Sequence, residues 1–128
     1  MVTEVSSGIK ISVSTQYEQQ YSNPSRGTHF FVYYIDIENL NAFPVKLLSR
    51  HWIIFDAQDA MREVVGQGVV GKQPIIEPNS HFRYNSGCDF KSAIGKMKGT
   101  YTMQNEVTGE CFTVQIPEFT TEVPFILN

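Results

Sequence analysis

The stretch Gly66-Gln67-Gly68-Val69-Val70-Gly71-Lys72-Gln73-Pro74-Ile75-Ile76-Glu77-Pro78 (residues 66–78) decides between two fold classes. Its first six residues have the G-x-G-x-x-G spacing of a dinucleotide-binding fingerprint, which functions only where a strand leads into a glycine turn that opens a helix. Residues 62–65 can form the strand, but Pro74 and Pro78 break any helix that starts after Gly71. The stretch therefore predicts a strand–loop–strand connection, in which glycines supply positive φ angles that a β-branched valine could not.

The rest of the chain alternates apolar and polar residues with a period of two, which is typical of strands. Ile9, Ile11 and Val13 form the inner face of a first strand that runs toward Tyr17. Further strands are predicted at 29–40, 45–55, 61–65, 74–78, 81–86, 96–103 and 111–116, with a hairpin at 56–60 and a turn at 106–110. Pro117 is predicted to end the last strand.

Short strands separated by turns rich in Gly, Pro, Asn and Asp predict an all-β fold, an antiparallel β-sandwich. Two aromatic residues favour an immunoglobulin-like arrangement. Trp52 lies in the third strand, where such sandwiches bury a tryptophan, and Tyr101 precedes the apolar Met103 by two residues, as in a tyrosine corner.

Length and charge bound the class of protein. At 128 residues the chain is predicted to be one domain spanning 1–128, with a core of roughly 8–120. A net charge of −3 and a pI of about 5.5 argue against a nucleic-acid partner. The N-terminus has no signal-peptide pattern and no apolar run is long enough to cross a membrane, which predicts a cytoplasmic protein with no membrane partner. Cys88 and Cys111 are then expected to be free thiols in strands.

The chain resembles the ApaG family (the DUF525 domain) in several motifs that follow one another in the family's order. These are Leu47 to Ile54, Gly66 to Pro74 with Pro78, Phe82 to Cys88, Gly95 to Met103, and Ile116-Pro117-Glu118-Phe119. The resemblance covers roughly residues 8–120. It implies an immunoglobulin-like or fibronectin type III-like β-sandwich, in agreement with the periodicity.

The resemblance implies less about function. Bacterial members take their name from a genomic association with diadenosine-tetraphosphate hydrolase and are linked to magnesium and cobalt tolerance. Related eukaryotic domains in F-box proteins and in a DNA-polymerase-delta-interacting protein look like protein-interaction modules. The family supplies no catalytic residues or cofactor to carry over.

The first functional hypothesis is a non-catalytic binding module for an unidentified protein partner. No local motif places a nucleophile, a base and an orienting residue together, so no enzyme activity is predicted. A sandwich with a glycine-rich loop and exposed strand edges is a suitable interaction scaffold.

The alternative is that the same loop binds phosphate, pyrophosphate or a dinucleoside polyphosphate. Gly66, Gly68 and Gly71 would supply backbone N–H groups and Lys72 a positive charge, as in an anion-binding nest. Residues 72–103 carry a net charge of +3 and residues 104–128 a net charge of −4, so other basic side chains could lie nearby. These four residues are the predicted ligand or partner site under either hypothesis.

A metal site is the weakest hypothesis, because His29, His51 and His81 have no metal-ligand spacing and no acidic loop resembles a calcium site. The segment Arg50-His51-Trp52 allows either a recognition patch or a structural role. Strand alternation places Arg50 on the inner face with Trp52, where its guanidinium would need a carboxylate or carbonyl partner.

Overall fold

A computed structural model of the chain describes residues 1–58 and 60–125, and in that part of the sequence it contains nine strands and no α-helix. The strands are β1 (Val2–Ser6), β2 (Ile9–Tyr17), β3 (His29–Asn39), β4 (Val45–Asp56), β5 (Arg62–Gln67), β6 (Ile75–Ile76), β7 (His81–Phe90), β8 (Ile94–Asn105) and β9 (Cys111–Glu122). Two short 3-10 turns, Gln19–Tyr21 and Pro24–Arg26, connect β2 to β3. None of the described segments forms a helix with the length and apolar character that a membrane crossing needs.

The strands form two sheets that pack face to face. The first sheet has the order β1-β2-β3-β7, and the second has the order β5-β4-β8-β9 with β6 paired to the beginning of β4. Every pairing is antiparallel. The all-β prediction is confirmed, and the arrangement is an antiparallel β-sandwich of the immunoglobulin-like and fibronectin type III-like kind.

Aromatic side chains from both sheets fill the centre of the core. Tyr33 of the first sheet lies 5.3 Å from Trp52 and 5.8 Å from Phe119 of the second sheet, measured between ring centroids. Trp52 is 2% exposed, which confirms its predicted place in the core. Ring contacts of this kind add to the free energy gained by burying the apolar surface.

Two strands differ most from the prediction. β1 was not predicted, because its residues are exposed and carry no apolar face that a periodicity could reveal. β9 does not end at Pro117 but continues to Glu122. The register against β8 shifts between Met97 and Gly99, so the extra residue opposite them forms a bulge that accommodates Pro117. Among the described strands β9 pairs with β8 alone, so the missing N–H interrupts no ladder on its outer side.

Polar contacts tie the two sheets together along both sides of the sandwich. On one side the N–H of Gln115 in β9 donates to the hydroxyl of Ser6 in β1, at 2.9 Å. On the other side Arg62 of β5 donates to the carbonyl oxygen of Asp89 in β7, at 2.5 Å, and to its carboxylate, at 3.3 Å. The predicted hairpin at 56–60 includes Asp59, which lies outside the described residues.

Candidate functional site

The predicted glycine loop is a tight hairpin at the end of β5, here named the glycine hairpin (residues 66–73). The N–H of Val69 donates to the carbonyl of Lys72 at 2.8 Å, and the N–H of Lys72 donates back to Val69 at 2.9 Å. Between them Val70 has a φ of +43° and Gly71 a φ of +78°. Positive φ at both central residues is the pattern of a type I′ turn, which suits the twist of two antiparallel strands.

The conformation of Val70 corrects the sequence prediction. The glycines were expected to take every positive φ angle in this loop, but the valine takes one as well. A β-branched residue is disfavoured there, because its branched Cβ crowds the adjacent backbone. Val70 is also 53% exposed, so its side chain gains little from burial in return.

Gly66 has a different role, which is to make room for a neighbouring side chain. The Arg50 guanidinium occupies the space beside Gly66, where an added Cβ would lie 2.8 Å from Nη1. The same Nη1 donates to the carbonyl oxygens of Gln67, at 3.1 Å, and Gly68, at 2.9 Å. Arg50 therefore has the carbonyl partners that its inward position was predicted to require.

The backbone donors of the hairpin are largely used inside the protein. The N–H groups of Val69 and Lys72 bond each other's carbonyls, and the N–H of Gly68 donates to the carbonyl of Leu48 at 2.8 Å. An anion-binding nest needs successive N–H groups that point at the ligand. Of the predicted site residues, Gly68 and Lys72 therefore do not offer their backbone N–H groups to an anion.

The other basic residues do not gather around the hairpin. Arg83 lies on β7 in the first sheet, where its Nε donates to Asp36 at 3.2 Å. Lys96 and Lys98 lie on β8, where the register places them opposite Phe55 and Ile53 of β4. The positive segment seen in the sequence is thus divided between the two sheets.

Apolar side chains surround the hairpin instead. Val69 is fully buried and anchors the turn, whereas Val70 and Ile75 are each 53% exposed. Val64 and Val65 of β5 are 39% and 71% exposed. Among the described strands β5 pairs with β4 alone, so it is an edge strand. Sequence reasoning chose the glycines of this region as the site and did not include the exposed valines in it, although the consecutive pairs Val64-Val65 and Val69-Val70 stand in the sequence.

Two tyrosines, one buried and one half-buried, join the two sheets. The hydroxyls of Tyr84 and Tyr101 are hydrogen-bonded to each other, and Tyr101 is fully buried. Burial raises the pKa of both phenols above the ordinary value, most strongly that of Tyr101. Both hydroxyls therefore stay protonated at neutral pH. The predicted tyrosine-corner residue thus contacts a second tyrosine across the sandwich.

The cysteines and histidines lie at separate places. Cys88 and Cys111 are free thiols in β7 and β9, as predicted. Burial raises the pKa of Cys88 to about 11, so that the thiol is protonated at neutral pH.

Each histidine contacts a different neighbour. His29 is buried against the Tyr17 hydroxyl, His51 lies 3.4 Å from Glu63 on β5, and His81 contacts Asp36 at 2.8 Å. Within residues 1–58 and 60–125 no three His, Cys, Asp or Glu side chains are grouped so as to hold a metal ion.

Comparison with known proteins gives one consistent result. The model of the ApaG domain (DUF525) matches residues 19–105. The chain is 43% identical over 120 residues to Protein ApaG of Thiobacillus denitrificans, covering 94% of each chain. It is 42% identical over 119 residues to Protein ApaG of Methylobacterium radiotolerans, covering 93% of this chain and 91% of that one.

Solved structures agree with these sequence matches. A crystal structure from Bordetella pertussis, described as an ApaA protein, superposes with a TM-score of 0.87 at 40% identity, covering 91% of this chain and 94% of that one. A protein from Archaeoglobus fulgidus, at 10% identity and a TM-score of 0.52, shares the fold alone. With a family model over most of its length and relatives above 40% identity, the chain belongs to the ApaG family.

Proposed function

We propose that this chain is a non-catalytic, cytoplasmic binding module that captures a protein partner through the glycine hairpin and the adjoining edge of the second sheet. The observation that carries the proposal is the conformation and exposure of Val70. It holds a positive φ of +43° and leaves 53% of its surface in water. A solvent-facing β-branched residue in that conformation costs stability, and such costs are concentrated at functional sites.

The surroundings of Val70 support a protein partner. Ile75, also 53% exposed, and the edge strand β5 extend the apolar surface, and Lys72 adds a charge at its rim. Exposed apolar groups with a polar border are typical of protein interaction sites. An open strand edge additionally allows an extended segment to pair with it.

Site-specific photocrosslinking in the native cell tests the proposal. A photoreactive residue at Val70 should yield a discrete crosslinked species. The matched control places it at Val107, which is 73% exposed in the turn between β8 and β9, and should yield none. Identical products from both positions, or no product from Val70, would contradict the proposal.

Val70→Asn separates binding from folding. Asparagine tolerates the left-handed conformation, so the variant should be more stable than the wild type by about 1 kcal/mol in urea unfolding. The same variant should lose partner capture, measured by crosslinking from Lys72. A variant that gains stability and still binds as wild type would show that the valine is not used for binding.

We attribute the link between the family and cation tolerance to binding of the partner at this surface. Cells that carry only Val70→Asn should then be as sensitive to cobalt as cells that lack the protein. Wild-type cobalt tolerance in those cells would separate tolerance from this surface.

Pyrophosphate binding at the same hairpin is the second candidate and has less support. The charge of Lys72 favours it, whereas the N–H groups of Gly68, Val69 and Lys72 are already bonded to carbonyls. Calorimetry with ATP, pyrophosphate and diadenosine tetraphosphate distinguishes the two candidates. Heat that is lost in Lys72→Ala would favour the anion, and no heat at millimolar ligand would exclude it.

A further inference from the structure

The two outer faces of the sandwich differ in which of their charged side chains form ion pairs. On the first sheet, four of the polar and charged side chains contact one another. Asp36 lies 2.8 Å from His81 and 3.2 Å from Arg83, and Glu38 lies 3.4 Å from the other nitrogen of His81. Tyr34, which is 42% exposed, lies on the same face.

The outer face of the second sheet combines apolar groups with unpaired lysines. One cross-strand row contains Glu63 of β5, Ile53 of β4 and Lys98 of β8, and the next places Phe55 beside Lys96. Ile53 and Phe55 are half-buried on this face. The Lys98 ammonium lies 5.6 Å from the centroid of the Phe55 ring. In the described part of the chain, neither lysine forms an ion pair with a carboxylate.

The same face is furrowed. One furrow of ≈ 490 Å³ is lined by Phe55 and Ile94, and another of ≈ 380 Å³ is lined by Ile53 and Lys98. Both include Glu118 in their walls. Side chains from an opposing surface could interdigitate with such a face, as the inner faces of sandwiches do.

We propose that a second copy of this chain packs on this face, about a two-fold axis that runs along β4. Because β4 lies between β5 and β8, Glu63 and Lys98 flank Ile53 at equal distances of about 4.8 Å. Rotation about an axis along β4 exchanges the two sides. It therefore places Lys98 of each copy over Glu63 of the other, and Ile53 and Phe55 over their own counterparts.

Such an interface is isologous, since one surface is complementary to itself. It brings each Lys98 the carboxylate that it lacks within its own chain. Glu118, on the far side of β8, falls beyond the β5 edge of the second copy and opposes no carboxylate there. The apolar stripe of β4 forms the centre and the charges form the rim, which is the usual anatomy of an interface.

The size of the face predicts a weak dimer. The three strands that overlap, β5, β4 and β8, and five residues along β4 give a footprint of about 14 by 17 Å, or roughly 240 Å² for each copy. Stable complexes bury about 800 Å² for each partner. We therefore expect a weak, transient dimer that forms only at high protein concentration.

The dimer goes beyond the proposed function and is independent of it. Ile53 lies five residues along β4 from Leu48, which bonds the glycine hairpin, so the hairpin is about 17 Å from the centre of the proposed interface. A dimer would leave both hairpins free. If no dimer is detected and the Val70 crosslink forms, only the dimer is contradicted. If the dimer is detected and the Val70 crosslink does not form, only the proposed function is contradicted.

The test is to exchange the two charges by substitution and to measure the dimer dissociation constant by sedimentation velocity between 10 µM and 1 mM. The wild type should dimerise, and each of Glu63→Lys and Lys98→Glu should raise the dissociation constant at least ten-fold, because like charges then oppose each other. The double variant should recover the wild-type value. Lys10→Glu, on the outer face of the first sheet, is the matched control and should dimerise normally.

A wild type that is monomeric at 1 mM would overturn the proposal. Dimerisation that neither single exchange weakens, or that the double exchange fails to restore, would also overturn it. Far-UV circular dichroism shows whether each variant is folded, and the recovery in the double variant cannot arise from misfolding.

Discussion

Asp56 shows how a single buried carboxylate fixes a turn. It is 6% exposed at the end of β4 and accepts hydrogen bonds from the N–H of Lys91 at 2.6 Å, the hydroxyl of Ser92 at 2.6 Å, and the N–H groups of Ser92 and Gln58 at 3.0 and 3.3 Å. Burial by itself would raise the pKa of this carboxyl group. The hydrogen bonds outweigh burial and hold the pKa below its ordinary value of 3.8.

The first prediction concerns the pH dependence that follows. Because the folded state lowers the pKa of Asp56, its stabilisation is present above about pH 4 and is lost as the pH falls through the lower folded value. Asp56→Asn should cost about 3 kcal/mol at pH 7, since an amide nitrogen then faces N–H donors. The difference in unfolding free energy between wild type and variant should stay constant between pH 6 and about pH 5 and shrink as the pH falls from there to about pH 2.

Urea titrations across this pH range measure the difference. Glu106→Gln, in the exposed turn after β8, is the control and should show no comparable loss. A difference that stays constant with pH would contradict the assignment of the titration to Asp56.

At the scale of an element, each of the three glycines in the glycine hairpin meets a different structural requirement. Gly66 leaves room for Arg50, Gly68 has a φ of +62° and lies against the Lys72 carbonyl, and Gly71 has a φ of +78° in open space. The G-x-G-x-x-G spacing of a nucleotide site therefore has a structural cause here. The first glycine makes room for a side chain, and the second and third adopt positive φ angles in a turn.

The second prediction is a ranked series of alanine substitutions. An added Cβ at Gly68 would lie 2.1 Å from the backbone oxygen of Lys72, so Gly68→Ala should cost about 3 kcal/mol or more. Gly66→Ala displaces only the end of the Arg50 side chain and should cost about 1–2 kcal/mol. Gly71→Ala meets nothing within 4 Å and should cost about 1 kcal/mol, for its φ angle alone.

Chemical denaturation of the three variants checks the order. In an Arg50→Ala background the cost of Gly66→Ala should largely disappear, because the clashing group is gone. Equal costs at all three positions, or an undiminished cost in that background, would contradict this account of the hairpin.

The elements also show where sequence reasoning reached its limit. The strand after the glycine turn was predicted from Pro74 and Pro78, and the inward position of Arg50 followed from alternation along β4. The course of β9 through Pro117 could not be predicted, because it depends on which side of the strand is unpaired. The positive φ of Val70 likewise depends on the hydrogen bonds that close the hairpin.

On the scale of the whole molecule, a polar pair inside the core joins the sheets. Tyr84 belongs to β7 in the first sheet and Tyr101 to β8 in the second, and their hydroxyls bond each other. Removal of one hydroxyl leaves the other without its partner, whereas removal of both replaces the pair by apolar surface of similar shape.

The third prediction is therefore non-additivity between the sheets. Tyr84→Phe and Tyr101→Phe should each cost about 1–2 kcal/mol, and the double variant should cost no more than either single one. Unfolding monitored by Trp52 fluorescence and by far-UV circular dichroism measures these free energies. Additive costs would show that the two hydroxyls are not coupled across the sandwich.

The sequence alone determined the class of fold, because alternation with a period of two and the prolines after Gly71 leave strands as the only regular structure. It also placed Trp52 in the core and identified the family through its spaced motifs. Only the tertiary structure decided which residues of those motifs lie next to one another. Pairing of β4 with β5 and β8 brings Arg50 to Gly66 and sets Glu63 and Lys98 on either side of Ile53. These juxtapositions join residues distant in sequence, and strand order, which periodicity does not encode, fixes them.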